Sequence, residues 1–111
     1  MTRNRDPKVY LEDILECIKQ IEEYTNAITF AEFDNDVKTQ DAVMRRIEII
    51  GEAVKKLPND FRSQYSDIPW KEIAGMRDVL IHEYAGVLLE RVWNTVKEDL
   101  LPLKRSILSV M

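Results

Sequence analysis

The chain has few of the residues on which whole classes of protein depend. Its one cysteine, Cys17, excludes an intrachain disulfide and a cysteine-rich zinc site within the 111 residues. Three glycines and four prolines are few for an all-β fold, which needs many turns. No apolar run approaches the roughly 18 residues of a membrane span, and the charged amino terminus has no apolar signal core. We therefore expect a cytoplasmic protein without a membrane anchor.

The overall composition sets further limits. Hydrophobic residues make up 45% and charged residues 32%, which suits one folded domain over residues 1–111. The net charge of −4 disfavours the broad basic surface of indiscriminate nucleic-acid binding, although it leaves room for a small local site. Cys17 has apolar neighbours at helical spacing, which favours a small buried hydrophobe over a nucleophile.

Apolar residues recur at helical period in four long stretches. The first helix is predicted from Asp6, an N-cap residue followed by proline, to about Ile28. The other three are predicted at about 36–57, 69–84 and 88–110. Four amphipathic helices with short connections indicate an all-α, up-and-down four-helix bundle.

Local signals add detail to these bounds. Thr29 and Glu32 have capping-box spacing, so a new turn is expected there. One turn is expected around Phe61 in the connector 58–68, and Pro102 is a candidate kink in the last helix.

Two glycines, Gly51 and Gly75, fall inside predicted helices, where each costs roughly 1 kcal/mol against alanine. A helix interior keeps glycine where two backbones approach closely or where a ligand lies near the backbone. Gly75 precedes Asp78 and His82 by one and two turns. We therefore expect another element or a ligand to approach the face that carries His82.

Residues 77–84 concentrate groups suited to phosphate and acid–base chemistry. His82 is the only histidine, and Asp78 lies one helical turn before it, so a carboxylate can orient the imidazole. Arg77 and Tyr84 are seven residues apart and share an adjacent face. The spacing of a zinc-binding His-Glu-x-x-His helix is absent, so we expect no metal and no cofactor.

Each of these residues also has a structural interpretation. Arg77 lies on an otherwise apolar face, where it either forms a salt bridge to a neighbouring helix, with Glu52 as candidate, or clamps a phosphate. His82 is either a hydrogen-bonded structural residue or a catalyst. Tyr84 is either a helix-end aromatic or a phenol for substrate contact or covalent modification.

Cleavage of RNA without metal needs a base for the 2′-hydroxyl, an acid for the leaving 5′-oxygen and a cation at the phosphate. Arg77 and His82 supply two of these three roles. A two-fold dimer with both copies of His82 in one cleft would supply the third. A ribonuclease mechanism therefore predicts a homodimer.

The motif and its flanks resemble the HEPN superfamily, and within it the HepT-like ribonuclease toxins. Arg77-Asp78-x-x-x-His82 is similar to the Arg-x4–6-His motif, in which a polar residue commonly follows the arginine. His82-Glu83-Tyr84 completes the Arg-x4-His-x-Tyr form. Further matching segments are Ile50-Gly51-Glu52-Ala53, Ile68-Pro69-Trp70, Ile73-Ala74-Gly75-Met76-Arg77 and Val92-Trp93.

The resemblance implies a metal-independent endoribonuclease toxin of a prokaryotic toxin–antitoxin pair, with the motifs of a homodimer at one cleft. Arg77 and His82 would be catalytic, with Asp78 and Glu52 in support, and the substrate would be a tRNA or mRNA. Tyr84 would receive AMP from a cognate minimal nucleotidyltransferase antitoxin. Tyr84 lies roughly 10 Å along the helix from Arg77, so an AMP there would neutralise the clamp and block the cleft.

Two other functions fit the same motif. The chain could serve as a non-catalytic nucleotide- or substrate-binding subunit of a nucleotidyltransferase complex. It could also be a helical dimer that lost activity and serves in assembly.

Overall fold

The computed structural model describes residues 6–82 and 89–111, and for residues 79–82 the backbone alone. These residues form helices and their connections, with no strand among them. None of the helices described in these two ranges is both long and apolar enough to cross a membrane. The helices are α1 (Pro7–Thr25), α2 (Phe30–Asp34), α3 (Val37–Lys56), α4 (Asn59–Gln64), α5 (Trp70–His82), α6 (Leu89–Asn94) and α7 (Leu100–Ser109).

The starts of α1 to α3 follow from short polar side chains. Asp6 accepts a hydrogen bond from Lys8 N at 3.0 Å, and Asp36 accepts one from Thr39 N at 3.1 Å. The capping box is confirmed, because Thr29 and Glu32 bond reciprocally to each other's backbone N–H. These caps satisfy amides that have no partner within the helix.

The predicted end of α1 is wrong by three residues. The helix ends at Thr25, whose hydroxyl donates to the carbonyl of Ile21 at 2.8 Å. The capping box at Thr29 requires a non-helical residue there, so the chain must leave the helix before it. The turn around Phe61 is confirmed and extends to the six-residue α4.

A π-helical turn, Thr95–Asp99, joins α6 to α7. Leu100 donates its N–H to the carbonyl of Thr95, five residues earlier. Pro102 has no N–H for the carbonyl of Glu98, and its ring would crowd that carbonyl in a regular α-helix. The wider π turn accommodates the proline, so the irregularity expected at Pro102 lies one turn before it.

Helix α3 lies at the centre of the packing, with α1 on one side and α5 on the other. Helix α1 also packs against α7, and α2 against α3 and α6. The core is mostly aliphatic, and Trp70 and Phe33 are buried in it, whereas Trp93 and Phe30 lie partly buried at its edge. The fully buried large side chains include Phe33, Ile14, Ile18, Ile21, Ile47, Ile50, Leu57, Leu100 and Ile107.

Cys17 is 2% exposed on α1 and is a small buried core residue, as predicted. Burial raises the pKa of its thiol, and a hydrogen bond with Arg46 opposes that shift only in part. A thiol that is buried and kept protonated is a poor nucleophile.

Candidate functional site

The stem of Arg77 lies in a notch that Gly51 leaves on the surface of α3. A Cβ atom added at Gly51 would overlap the Cβ of Arg77 and come within 3.1 Å of its Cγ. The absence of a side chain therefore lets α5 pass close to α3 at this point. The close approach expected at Gly51 is confirmed, and it fixes the base of the Arg77 side chain by packing.

Gly75 has different surroundings. A Cβ there would meet no heavy atom of the described residues within 4 Å. The described parts of the chain therefore make no close approach at Gly75. An approach by a ligand or a second copy stays a prediction.

The described residues leave donors of the Arg77 guanidinium unused. One terminal nitrogen donates to Asp78 Oδ1 at 3.2 Å, whereas the buried Nε–H has no acceptor among the described residues. The side chain is 28% exposed, so part of it can be reached from solvent at the seam between α3 and α5. A guanidinium with spare donors can bind a carboxylate or a phosphate in bidentate fashion.

The salt bridge suggested between Arg77 and Glu52 is wrong. No ion pair joins these two residues, and the acid beside Arg77 is its sequence neighbour Asp78. Glu52 follows Gly51, and successive helical residues point in directions about 100° apart. Glu52 is thus turned away from the notch that holds Arg77, and a supporting role for it stays a prediction.

Asp78 is held by two cations. Its Oδ1 accepts from Lys55 Nζ on α3 at 2.6 Å, in addition to the contact with Arg77. The hydrogen bond from Lys55 first, and that from Arg77 second, hold the pKa of Asp78 below its ordinary value. Asp78 is therefore a carboxylate at neutral pH, ready to accept further donors.

The other two predicted site residues are only partly placed. The backbone of α5 is helical through His82, which keeps His82 one turn after Asp78. The side chain of His82 and the whole of Tyr84 lie outside the described residues. The contacts predicted between Asp78, His82 and Tyr84 stay predictions.

Metal-binding groups do not cluster in the part of the chain that is described. Within 6–78 and 89–111, where side chains are defined, no group of three or more histidine, cysteine, aspartate or glutamate residues could hold a metal ion.

Comparison with known protein families identifies the family to which the chain belongs. The family model described as ribonuclease HepT-like matches residues 14–110, a range that includes Arg77, His82 and Tyr84. The chain belongs to the HepT-like ribonuclease family. The family resemblance expected from the motif is confirmed.

Several curated proteins are similar to this HepT-like chain. A Thermococcus cleftensis protein named "Probable ribonuclease HepT" is 56% identical over 90% of this chain and 91% of its own length. A Caldanaerobacter subterraneus protein whose name reads "Putative RNase" is 43% identical over 96% of both chains. A Methanocaldococcus jannaschii protein, whose name joins a gamma-glutamylcyclotransferase to a putative RNase, is 54% identical. The chain spans 48% of the length of that longer relative. No solved structure matches the chain.

The sequence interpretation missed Lys55. Lys55 lies in the last turn of α3, where a cation suits the helix dipole. Lys55 lies four residues after Gly51, so the two share a face of α3. A lysine one turn after an interhelical glycine was the available signal, but its partner Asp78 is 23 residues away and becomes visible only in the fold.

Proposed function

We propose that this HepT-like chain is a metal-independent endoribonuclease and the toxin of a toxin–antitoxin pair. The observation that carries the proposal is the state of Arg77. Its stem is fixed against Gly51, its side chain is 28% exposed, and Asp78 is the one acid on its guanidinium among the described residues. A positioned and partly exposed arginine suits the negative charge that develops on a phosphate during cleavage.

His82 would act as the base and as the acid of the reaction. One copy removes the proton from the 2′-hydroxyl, and the oxygen attacks the adjacent phosphorus. A second copy protonates the leaving 5′-oxygen, which leaves a 2′,3′-cyclic phosphate and a 5′-hydroxyl. These two proton transfers require a homodimer with two copies of His82 in one cleft. Each protomer would be a four-helix bundle formed by residues 1–111.

Tyr84 would be the site of control. Transfer of AMP from ATP to its phenol, by a minimal nucleotidyltransferase antitoxin, puts a phosphodiester near Arg77 and releases pyrophosphate. The added negative charge would pair with the Arg77 guanidinium, which would otherwise bind the RNA phosphate. The sequence spacing of Arg77 and Tyr84 supports this part of the proposal.

Cleavage of purified total tRNA in EDTA tests the enzyme. Wild-type protein, of unmodified mass, is compared with His82→Ala and Arg77→Ala, both checked for helical content. Cleavage by wild type alone, with 2′,3′-cyclic phosphate ends, is the expected result. Equal cleavage by wild type and both variants would contradict the assigned roles.

The positioned and partly exposed Arg77 equally suits the phosphate of a nucleotide. A nucleotide-binding subunit would bind ATP or AMP saturably and cut no RNA. Binding of nucleotide by unmodified protein that fails to cleave RNA would establish that function instead.

A further inference from the structure

Helix α3 holds two successive residues of α5 through one of its faces. Gly51 receives the stem of Arg77, and Lys55, one turn later on the same face, receives the carboxylate of Asp78 at 2.6 Å. These two contacts cross the seam between α3 and α5 side by side. They fix the position at which the Arg-x4-His motif begins.

The contact with Lys55 explains how Asp78 reaches Arg77. Successive residues of a helix do not face each other, so a carboxylate at position 78 has no built-in reason to meet the guanidinium at position 77. Lys55 lies on α3, on the side of the seam where the stem of Arg77 packs. Its ammonium group shares Asp78 Oδ1 with Arg77, so it lies where it can hold the carboxylate beside the guanidinium.

Lys55, Arg77 and Asp78 form a charged cluster that suits the binding of a phosphate. Two cations, Lys55 and Arg77, share one carboxylate oxygen, so the three charges leave a net positive charge at the seam. Among the described residues no donor contacts the second oxygen of Asp78, which suits another donor such as an imidazole N–H. The cluster can therefore orient two groups of the site at once.

We propose that Lys55 is a positioning residue of this site, which holds the Asp78 carboxylate on the Arg77 guanidinium and so fixes the cation that meets the RNA phosphate. The role in RNA cleavage rests on the proposed ribonuclease function. The positioning itself rests on the contacts between α3 and α5.

A surface ion pair without function is the competing explanation. The side chains of Lys55 and Asp78 are 42% and 46% exposed, and exposed ion pairs contribute little to folding stability. Replacement of Lys55 should therefore leave the fold intact. An effect on cleavage would then report on the site rather than on unfolding.

The test compares Lys55→Met, Lys55→Arg and the control Lys56→Met, which removes an exposed lysine from the same turn. Single-turnover cleavage and RNA affinity are measured separately, in 0.15 M salt. Lys55→Met should lower the cleavage rate by up to about 100-fold, the scale expected for a catalytic group misplaced by roughly 1 Å, with little change in affinity. Lys55→Arg should recover most of the rate, and Lys56→Met should cleave as wild type does.

A double-mutant cycle tests whether Lys55 acts through Asp78. Asp78→Asn and the double variant with Lys55→Met should cleave at the same rate, because Lys55 then has no carboxylate to hold. Effects that multiply in the double variant would overturn the proposal. Equal losses in Lys55→Met and Lys56→Met would also overturn it, since they would indicate a general effect of charge.

A second readout is independent of RNA cleavage. The Nε–H resonance of Arg77, assigned by its loss in Arg77→Lys, reports the order of the guanidinium by NMR. It should be sharp in wild type and Lys56→Met, and broadened in Lys55→Met. If wild type cuts no RNA, the proposed function fails and this signal alone decides the positioning role; a signal unchanged in Lys55→Met overturns that role.

Discussion

Replacement of Gly51 by alanine tests the packing that positions Arg77. The new Cβ would overlap the Cβ of Arg77, which is attached directly to the backbone of α5. A flexible side-chain end could move aside, but a Cβ atom moves only with its helix. The substitution should therefore push α5 away from α3. Gly75→Ala is the matched control, because the same methyl group there meets no heavy atom of the described residues within 4 Å.

Two opposing contributions set the change in the free energy of unfolding that Gly51→Ala should cause. Alanine is favoured over glycine in a helix interior by about 1 kcal/mol. Overpacking costs roughly 1–3 kcal/mol, and a rigid clash between two helices belongs at the upper end of that range. Gly51→Ala should therefore lower the free energy of unfolding by about 2 kcal/mol, given both terms. Gly75→Ala keeps only the favourable term and should raise it by about 1 kcal/mol.

Thermal unfolding followed by circular dichroism measures both variants. For a chain of this size, 1 kcal/mol corresponds to roughly 4 °C. The midpoint should fall by about 8 °C in Gly51→Ala and rise by about 4 °C in Gly75→Ala, on that scale. All proteins are compared at one low concentration, because association would raise the midpoint. A Gly51→Ala protein as stable as wild type would refute the reasoning about the notch.

Three further predictions concern single residues. Because the pKa of Asp78 is lowered on folding, its stabilising contribution is complete above the usual carboxyl range near pH 4 and is lost as pH falls through the lowered pKa. The difference in urea stability between wild type and Asp78→Asn should thus shrink as the pH falls below about 4, and a difference that does not change with pH would contradict the assignment. Iodoacetamide should alkylate Cys17 slowly at pH 8 in the folded protein and rapidly in denaturant, since the thiol is buried and its pKa is raised; equal rates would contradict burial. Thr29→Ala should lower the free energy of unfolding by about 1 kcal/mol in urea titration, because it removes the capping box of α2; unchanged stability would mean that the box is not formed in solution.

Helix starts were predictable because their causes are local. Asp6 and Thr29 bond to amides two and three residues away, so the sequence contains both partners of each cap. The end of α1 depends on where the chain must turn to place the next element, and the prediction overshot it. The π turn before Pro102 was likewise not predicted, because several backbone arrangements can relieve the same clash.

In the candidate site, too, local features were predictable from the sequence and contacts between helices were not. The spacing of residues 77–84 identified the motif and its family, since that pattern lies within one helix. The partner of Asp78 was assigned within the same helix, and Lys55 on α3 was missed. Pairings across a seam depend on which faces of two helices meet. Gly51 marks that meeting point in the sequence, but nothing in the sequence alone names Arg77 as the residue that fills it.

The way Arg77 is anchored bears on its proposed use. An arginine held at an interhelical seam by a buried salt bridge would have to break that bond before it could bind a phosphate, at a considerable cost in free energy. Here Gly51 holds the aliphatic stem by packing, and the one described acid on the guanidinium is a half-exposed carboxylate shared with Lys55. Lys55 holds that carboxylate on one terminal nitrogen, so the other end of the guanidinium stays available for a new anion. Because Arg77 is anchored through its stem, its position is fixed while its guanidinium stays available to bind an anion. Stabilisation of the transient negative charge on a phosphate requires both properties.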